Sequence, residues 1–255
     1  MKKGILVITF FMVSFVSFAS QLAVVGDTNK TDASGKKTGI WKEEANTYTY
    51  VGLYKNDKKE GVWVGYHPNG LVSSIDEYKD GKRNGISVGI DVAGFYYKKD
   101  NYTNDTLDGP SVLFSHSNGA KVQLELTYKM GKVNGLKKVY YPEGAIQEEG
   151  YFINNLRHGV SKWYTQDHHL SIEYTYKNGN LNGIQKTYHT NGNIASEGNM
   201  VDNLEEGEYV EYFQNGKLKL IGKYVHGKKE GPWKEYNEDG KVIKTENFKN
   251  NELRK

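Results

Sequence analysis

The sequence predicts an all-β protein: an elongated antiparallel array of about nine to ten β-hairpin repeats of ~24 residues. Three observations predict it. One glycine recurs, as Gly39, Gly61, Gly85, Gly109, Gly135, Gly159, Gly183, Gly207 and Gly231, at steps of 22, 24, 24, 26, 24, 24, 24 and 24 residues. Turn-forming residues fall at two fixed phases of that period. Between them, apolar and polar residues alternate with period two, and no segment holds a 3.6-residue rhythm.

Before the repeats, Lys2 and Lys3 precede an apolar stretch from Gly4 to Phe18, and Ser17-Phe18-Ala19 offers small residues to a signal peptidase. We expect a signal peptide at 1–19, cleaved after Ala19. The stretch is short for a bilayer span, so no integral membrane span is expected after its removal. Residues 20–34 are polar and irregular and read as a flexible N-terminal segment; the repeat array occupies 35–255. The chain contains no cysteine, which excludes disulfides and thiolate chemistry. The formal charge of +3 falls to about +1 once Lys2 and Lys3 are removed (3 − 2). That balance argues against nucleic acid and against a polybasic membrane surface.

Within each repeat, the first turn lies four residues before the reference glycine, at Gly35, Asp57, Gly81, Asp105, Gly131, Asn155, Gly179, Asn203 and Gly227. These residue types tolerate the positive φ of tight hairpins. A second turn follows about nine residues after the reference, as in Asn69-Gly70, Asn191-Gly192 and Asp239-Gly240. Two turns per repeat leave two strands of ordinary length. Seven residues before the reference stand Tyr54, Tyr78, Tyr102, Tyr128, Phe152, Tyr176, Met200, Tyr224 and Phe248; the residue before each is mostly polar. That alternation predicts one covered and one wet face. On the return strand an apolar residue follows the glycine (Ile40, Val62, Ile86, Leu136, Val160, Ile184), and an aromatic follows four later (Tyr66, Phe114, Tyr140, Tyr164, Tyr188, Tyr212, Tyr236). A second glycine, nine before the reference (Gly52, Gly150, Gly198, Gly222), predicts a bare patch of backbone covered by a Tyr or Phe ring from an adjacent hairpin.

The runs Tyr78-Lys79-Asp80-Gly81-Lys82-Arg83-Asn84-Gly85 and Tyr176-Lys177-Asn178-Gly179-Asn180-Leu181-Asn182-Gly183, and the stretch from Gly227 to Gly240, resemble the MORN repeat in its bacterial variant form. The resemblance covers roughly Gly35 to Phe248. It implies one hairpin per repeat in an elongated, single-layer twisted sheet. The bacterial variant is also similar to proteins labelled antitoxins of the YwqK type. Three places depart from the pattern. Asp167-His168-His169 stands where a turn glycine is due, Ile90 replaces a tyrosine, and the unit after Gly109 runs long, at 26 residues; a bent sheet, altered loop or site is expected there.

Chemistry-bearing motifs are scarce. His67, His116 and His189 lie in non-neighbouring repeats, and adjacent His168 and His169 point apart if extended, so no metal site is expected. No nucleophile elbow or comparable motif holds the Ser, His and Asp residues together, so neither an enzyme nor a cofactor is expected. The sequons at Asn29, Asn101 and Asn104 read as chance. The candidate site is instead an aromatic and basic sheet face: Trp41, Trp63, Tyr140, Tyr164, Tyr188, Tyr212, Trp233 and Tyr236, with lysines at Lys42, Lys138, Lys162, Lys186 and Lys234. The tryptophans also suit a capping role at terminal hairpins. The function expected is an exported non-catalytic repeat scaffold, periplasmic or extracellular, that binds a protein partner through an extended face. The alternatives are an antitoxin or immunity-type protein that neutralises a toxin, and an envelope glycan-binding protein.

Overall fold

The computed structural model describes residues 28–116 and 120–254. The expected signal at 1–19, most of the segment at 20–34, and the Asn118-Gly119 turn lie outside the described residues. The described chain divides into two compact units, up to Ser87 and from Val88 onward. The first contains β1 (Lys30–Thr31), β2 (Lys37–Ala45), β3 (Tyr48–Lys55), β4 (Lys58–Tyr66), β5 (Val72–Lys79) and most of β6 (Lys82–Ile90). The second contains β7 (Tyr96–Thr103), β8 (Thr106–Leu107), β9 (Gly109–Phe114), β10 (Val122–Lys129), β11 (Lys132–Val133), β12 (Gly135–Tyr140), β13 (Ile146–Ile153) and β14 (Leu156–Tyr164). It continues with β15 (Leu170–Lys177), β16 (Asn180–Tyr188), β17 (Ile194–Val201), β18 (Leu204–Tyr212), β19 (Leu218–Val225), β20 (Lys228–Tyr236), β21 (Val242–Lys249) and β22 (Glu252–Arg254). Every described element is β. Within each unit the pairing is antiparallel between strands close in sequence, as β3 with β4, β4 with β5 and β13 with β14. The all-β hairpin-repeat class is as the sequence predicts.

Except at the opening turn, where Gly35 alone lies in the left-handed region (φ 80°), the first turn of each repeat places two successive residues there, as at Asn56 and Asp57 (51° and 65°) and Asp80 and Gly81 (51° and 84°). This is the type I′ geometry that matches strand twist. It also joins one hairpin to the next. The Asn155 N–H donates to the Val133 carbonyl (2.9 Å), and the Val133 N–H donates back to Asn155 Oδ1 (2.7 Å). Asp57 with Lys37, Asn203 with Leu181, and Asn251 with Lys229 repeat the exchange. At two turns where glycine holds the position, the carboxylate of Glu60 or Glu206 accepts an N–H from the neighbouring turn, at Asp80 (3.0 Å) and His226 (2.8 Å), and Glu230 does the same at Asn250 (3.0 Å).

The recurring glycine sits in a bulge. Gly150 faces Ser161 and Phe152 faces Arg157, so His158, Gly159 and Val160 of β14 stand against Tyr151 alone. Fitting the extra residues bends the backbone into φ +75° at Gly159, and all nine reference glycines lie between +67° and +127°. A side chain there would strain the strand. On its other edge Gly159 lies directly opposite Tyr176. In the same way Tyr54 pairs with Gly39, Tyr128 with Gly109 and Tyr224 with Gly207.

Coverage of the second glycine corrects the expectation. A Cβ on Gly52 would sit inside the Trp63 indole, and one on Gly222 inside the Trp233 indole; on Gly198 it would meet Tyr209 Cδ2 at 2.9 Å. The ring comes from the return strand of the same hairpin, two residues after the reference glycine, and in two cases it is a tryptophan. The bulge swings that side chain back over the bare backbone, so no adjacent hairpin is needed. At Gly150 the space goes to Ser161 and Arg157.

The departure at Asp167-His168-His169 leaves the turn unaltered. His168 adopts φ +64°, its N–H donates to Thr165 O (3.0 Å), and the Thr165 N–H donates to His169 O (2.9 Å). Asn191-Gly192 makes the same bonds through His189 and Asn193. Ile90 is buried, filling apolar space where other repeats place a tyrosine.

Candidate partner-binding faces

Strand alternation separates the expected site residues onto two faces. The position two after the reference glycine carries Trp41, Trp63, Tyr209 and Trp233, and it shares a face with the aromatic seven before. In the first unit Trp41 meets Tyr54 edge-on (5.6 Å between centroids), Tyr54 meets Trp63 (5.2 Å), and Trp63 meets Tyr78 (6.3 Å). In the second, Tyr209, Tyr224, Trp233 and Phe248 form the same edge-on run. Trp63 and Trp233 are 2% and 4% exposed, which makes them the core of their hairpins. Such edge-to-face pairs add about 0.5–1.5 kcal/mol each beyond area burial.

Cations two residues before the reference glycine cover these rings. Lys37 Nζ lies 4.4 Å from the Trp41 centroid, Lys59 Nζ 3.8 Å from Trp63, and Lys229 Nζ 4.2 Å from Trp233. Arg157 stacks over Phe152, Trp163 and Tyr176. Glu43 anchors the first pair, 3.1 Å from Lys37 and 3.2 Å from Lys59, and accepts from the Tyr54 hydroxyl (2.9 Å). Burial pushes the Glu43 carboxyl upward, but these three donors outweigh it and hold it below the ordinary range. Burial, then the Glu43 bond, pushes the Tyr54 phenol up to about 12. Glu148 plays the same part for Lys137 and Arg157.

The sequence reading missed these cations. The signal was available as a basic residue four before the ring position, but in an unbulged strand that spacing gives no reason for the two side chains to meet over one ring. The lysines it singled out lie elsewhere. Lys162 and Lys186 pair with Glu173 (3.5 Å) and Glu197 (3.3 Å) on the opposite face. Exposed pairs of this kind contribute little stability.

That opposite face also carries Tyr140, Tyr164, Tyr188, Tyr212 and Tyr236, all partly buried. The Tyr140 hydroxyl donates to Glu125 (2.9 Å) and the Tyr164 hydroxyl to Glu149 (2.7 Å). Burial first, and then these carboxylates, raise both phenols to about 12. Alongside run Leu136, Val160 and Ile184, one per repeat, at 44%, 46% and 43% exposure. In these three repeats the apolar residue after the glycine therefore faces solvent, whereas Ile40, Val62 and Ile86 at the same position are partly buried. Directly opposite Leu136 is Tyr151, itself 47% exposed.

Among the described residues no cluster of three or more His, Asp or Glu is placed to hold a metal ion. His116 Nδ1 instead lies 2.8 Å from Asp91 and its ring stacks on Tyr97. His189 Nε2 lies 2.8 Å from the Tyr212 carbonyl. No described helix is long and apolar enough to cross a membrane.

A repeat-family model described as the MORN repeat variant matches residues 59–80, 133–154, 181–202, 205–226 and 229–250. Each match runs from the residue that precedes the reference glycine by two, or its neighbour, to the next first turn. No curated protein matches the chain.

Proposed function

This chain belongs to the MORN repeat variant family, and on that premise we propose that it is an exported, non-catalytic repeat scaffold that docks a protein partner on its tyrosine face. The aliphatic row Leu136, Val160 and Ile184 carries this reading. Aliphatic side chains exposed at a regular spacing on one sheet face are unfavourable in water and suit a partner that covers them. Tyr140, Tyr164 and Tyr188 border the row and supply rigid aromatic area, and the Lys–Glu pairs form its polar rim. Export rests on Lys2, Lys3 and the apolar run to Phe18. A neutralised toxin is one kind of partner this face could take, in line with the label carried by similar bacterial repeats.

A photo-crosslinking residue placed at Val160, in cells expressing the full chain, tests the docking. We expect a discrete protein adduct that disappears when Leu136 and Ile184 are both changed to Lys. No adduct at Val160, or an adduct indifferent to those changes, would refute this face. Export is tested separately by N-terminal sequencing of the envelope and medium fractions, with Ser20 expected as the first residue.

A further inference from the structure

We propose that the trough beside Tyr209 is a seat for a lysine or arginine side chain of a protein partner. The chain contains its own occupied version of this seat. In the first unit, Lys59 lies over the Trp63 ring, 5.5 Å from the Tyr78 centroid and 5.9 Å from Tyr50, with Glu43 as its counter-charge. Trp63 in turn lies flat over Gly52. The cation is thus held between a ring floor, flanking rings and a carboxylate.

The equivalent positions around Gly207 keep the ring floor and omit the cation. Tyr209 replaces Trp63 and lies over Gly198 as Trp63 lies over Gly52. Tyr224 replaces Tyr78, and its ring meets Tyr209 edge-on at 5.8 Å. Ser196 and Thr187 replace Tyr50 and Glu43, which widens the space and lines it with hydroxyls bonded to each other (2.6 Å). Glu205 replaces Lys59, so the side chain at the origin of the missing cation is an acid. One repeat earlier, Leu181 stands where the first unit has Lys37, so no cation reaches in from that side either. The result is an open trough of about 320 Å³ lined by Tyr174, Gln185, Ser196, Glu205, Tyr209 and Tyr224.

Charge decides the occupant. Glu205 is half-buried and makes no ion pair among the described residues, whereas Glu211 nearby is held by Lys219 (3.0 Å). Tyr224 feels the Glu205 charge: burial and then Glu205 raise its phenol above the ordinary value. A carboxylate that lines a trough together with two aromatic rings favours a cation with an apolar stem, which is what a lysine or arginine side chain presents. A neutral or acidic group would cover the carboxylate without pairing it.

The test is amide-resolved NMR titration of the full chain with three capped peptides: Gly-Ser-Lys-Ser-Gly, its arginine form and its norleucine form. We expect saturable shifts at Glu205, Tyr209 and Tyr224 with the lysine and arginine peptides and none with norleucine. Glu205→Gln should weaken binding roughly threefold to tenfold, the worth of one partly desolvated charge contact. Glu205→Lys supplies an internal cation and should abolish binding while the remaining amide spectrum keeps its native dispersion. Equal binding of the norleucine peptide, binding that survives Glu205→Lys, or no saturable shift at these residues would overturn the proposal. The seat lies on the opposite face from Leu136, Val160 and Ile184, so its failure leaves the Val160 crosslink unaffected, and the reverse holds.

Discussion

The hairpin of β3 and β4 and the hairpin of β7 and β9 fill the same place with opposite chemistry. In the first, glycine at position 52 makes room for the Trp63 indole, which is 2% exposed. In the second the same two positions are Asp100 and Ser111, at 2% and 5% exposure, joined by a 2.6 Å hydrogen bond from the Ser111 hydroxyl. Lys98 closes that site with an ion pair of 2.6 Å to Asp100, and the Asp100 bond raises the Lys98 ammonium above its ordinary value. Asp76 with Ser87 (2.6 Å) repeats the polar version, and Gly222 with Trp233 the aromatic one. The lesson is that the bulge dictates a volume shared by two residues, not a residue type. Either a large ring over no side chain, or two small side chains bonded to each other, satisfies it.

The largest expected effect comes from exchanging the two solutions. Asp100→Gly strands Lys98 and leaves a void, and Ser111→Trp drives an indole into an occupied site. Each alone should cost about 3 kcal/mol or more in urea unfolding. The double variant should recover at least about 2 kcal/mol of the summed loss, as coupled neighbours do. Additive losses would break the shared-volume account.

A second pair of variants separates space from backbone strain. Gly222→Ala intrudes on the Trp233 ring and should cost about 3 kcal/mol and shift tryptophan emission. Gly231→Ala has nothing within 4 Å but sits at φ +72°, so it should cost only the left-handed penalty of about 1–2 kcal/mol with emission unchanged. Equal costs and equal emission would mean that ring cover is incidental.

Alkaline titration addresses the tyrosine side of the comparison. Tyr54, Tyr140, Tyr164 and Tyr209 are each raised to about 12, chiefly by burial, with Glu carboxylates adding. A phenol that ionises less readily in the folded chain than in the unfolded one binds its proton more tightly when folded, so the unfolded state gains as the pH passes the ordinary phenol value. Their full contribution holds below pH 10 and is lost as pH rises toward 12. Absorbance at 295 nm should show a late-ionising group of phenols, with stability falling over the same window; a single midpoint at 10 would contradict the buried placement.

The smallest effect is a gain. His168→Gly relieves a non-glycine residue at φ +64° in a turn whose other copies carry glycine, and should stabilise by roughly 0.5–1 kcal/mol. A loss would show that the His168 side chain does more than occupy the turn.

Much of this molecule was legible from the chain alone. The spacing of Gly39 through Gly231 marks the hairpins, because a backbone position that must adopt positive φ admits little else. The turns at Asn56-Asp57 and Asp80-Gly81 follow for the same local reason, and the period-two pattern places Tyr54 and Tyr224 on the covered side. The MORN-variant resemblance rests on these features. What the chain alone did not reveal is the face of each candidate. The bulge beside every reference glycine inserts extra residues into one strand. The sequence reading groups Trp63 and Trp233 with Tyr140 and Tyr236 on one face, although their odd spacing within the repeat separates them; the folded hairpin sends Trp63 inward and leaves Leu136 and Val160 in water. The pairing of Lys59 with Trp63, and its absence at Glu205 and Tyr209, likewise emerges only once four residues of strand are folded back around a bulge, since local propensity sets where a hairpin turns and only packing sets which side chains then meet.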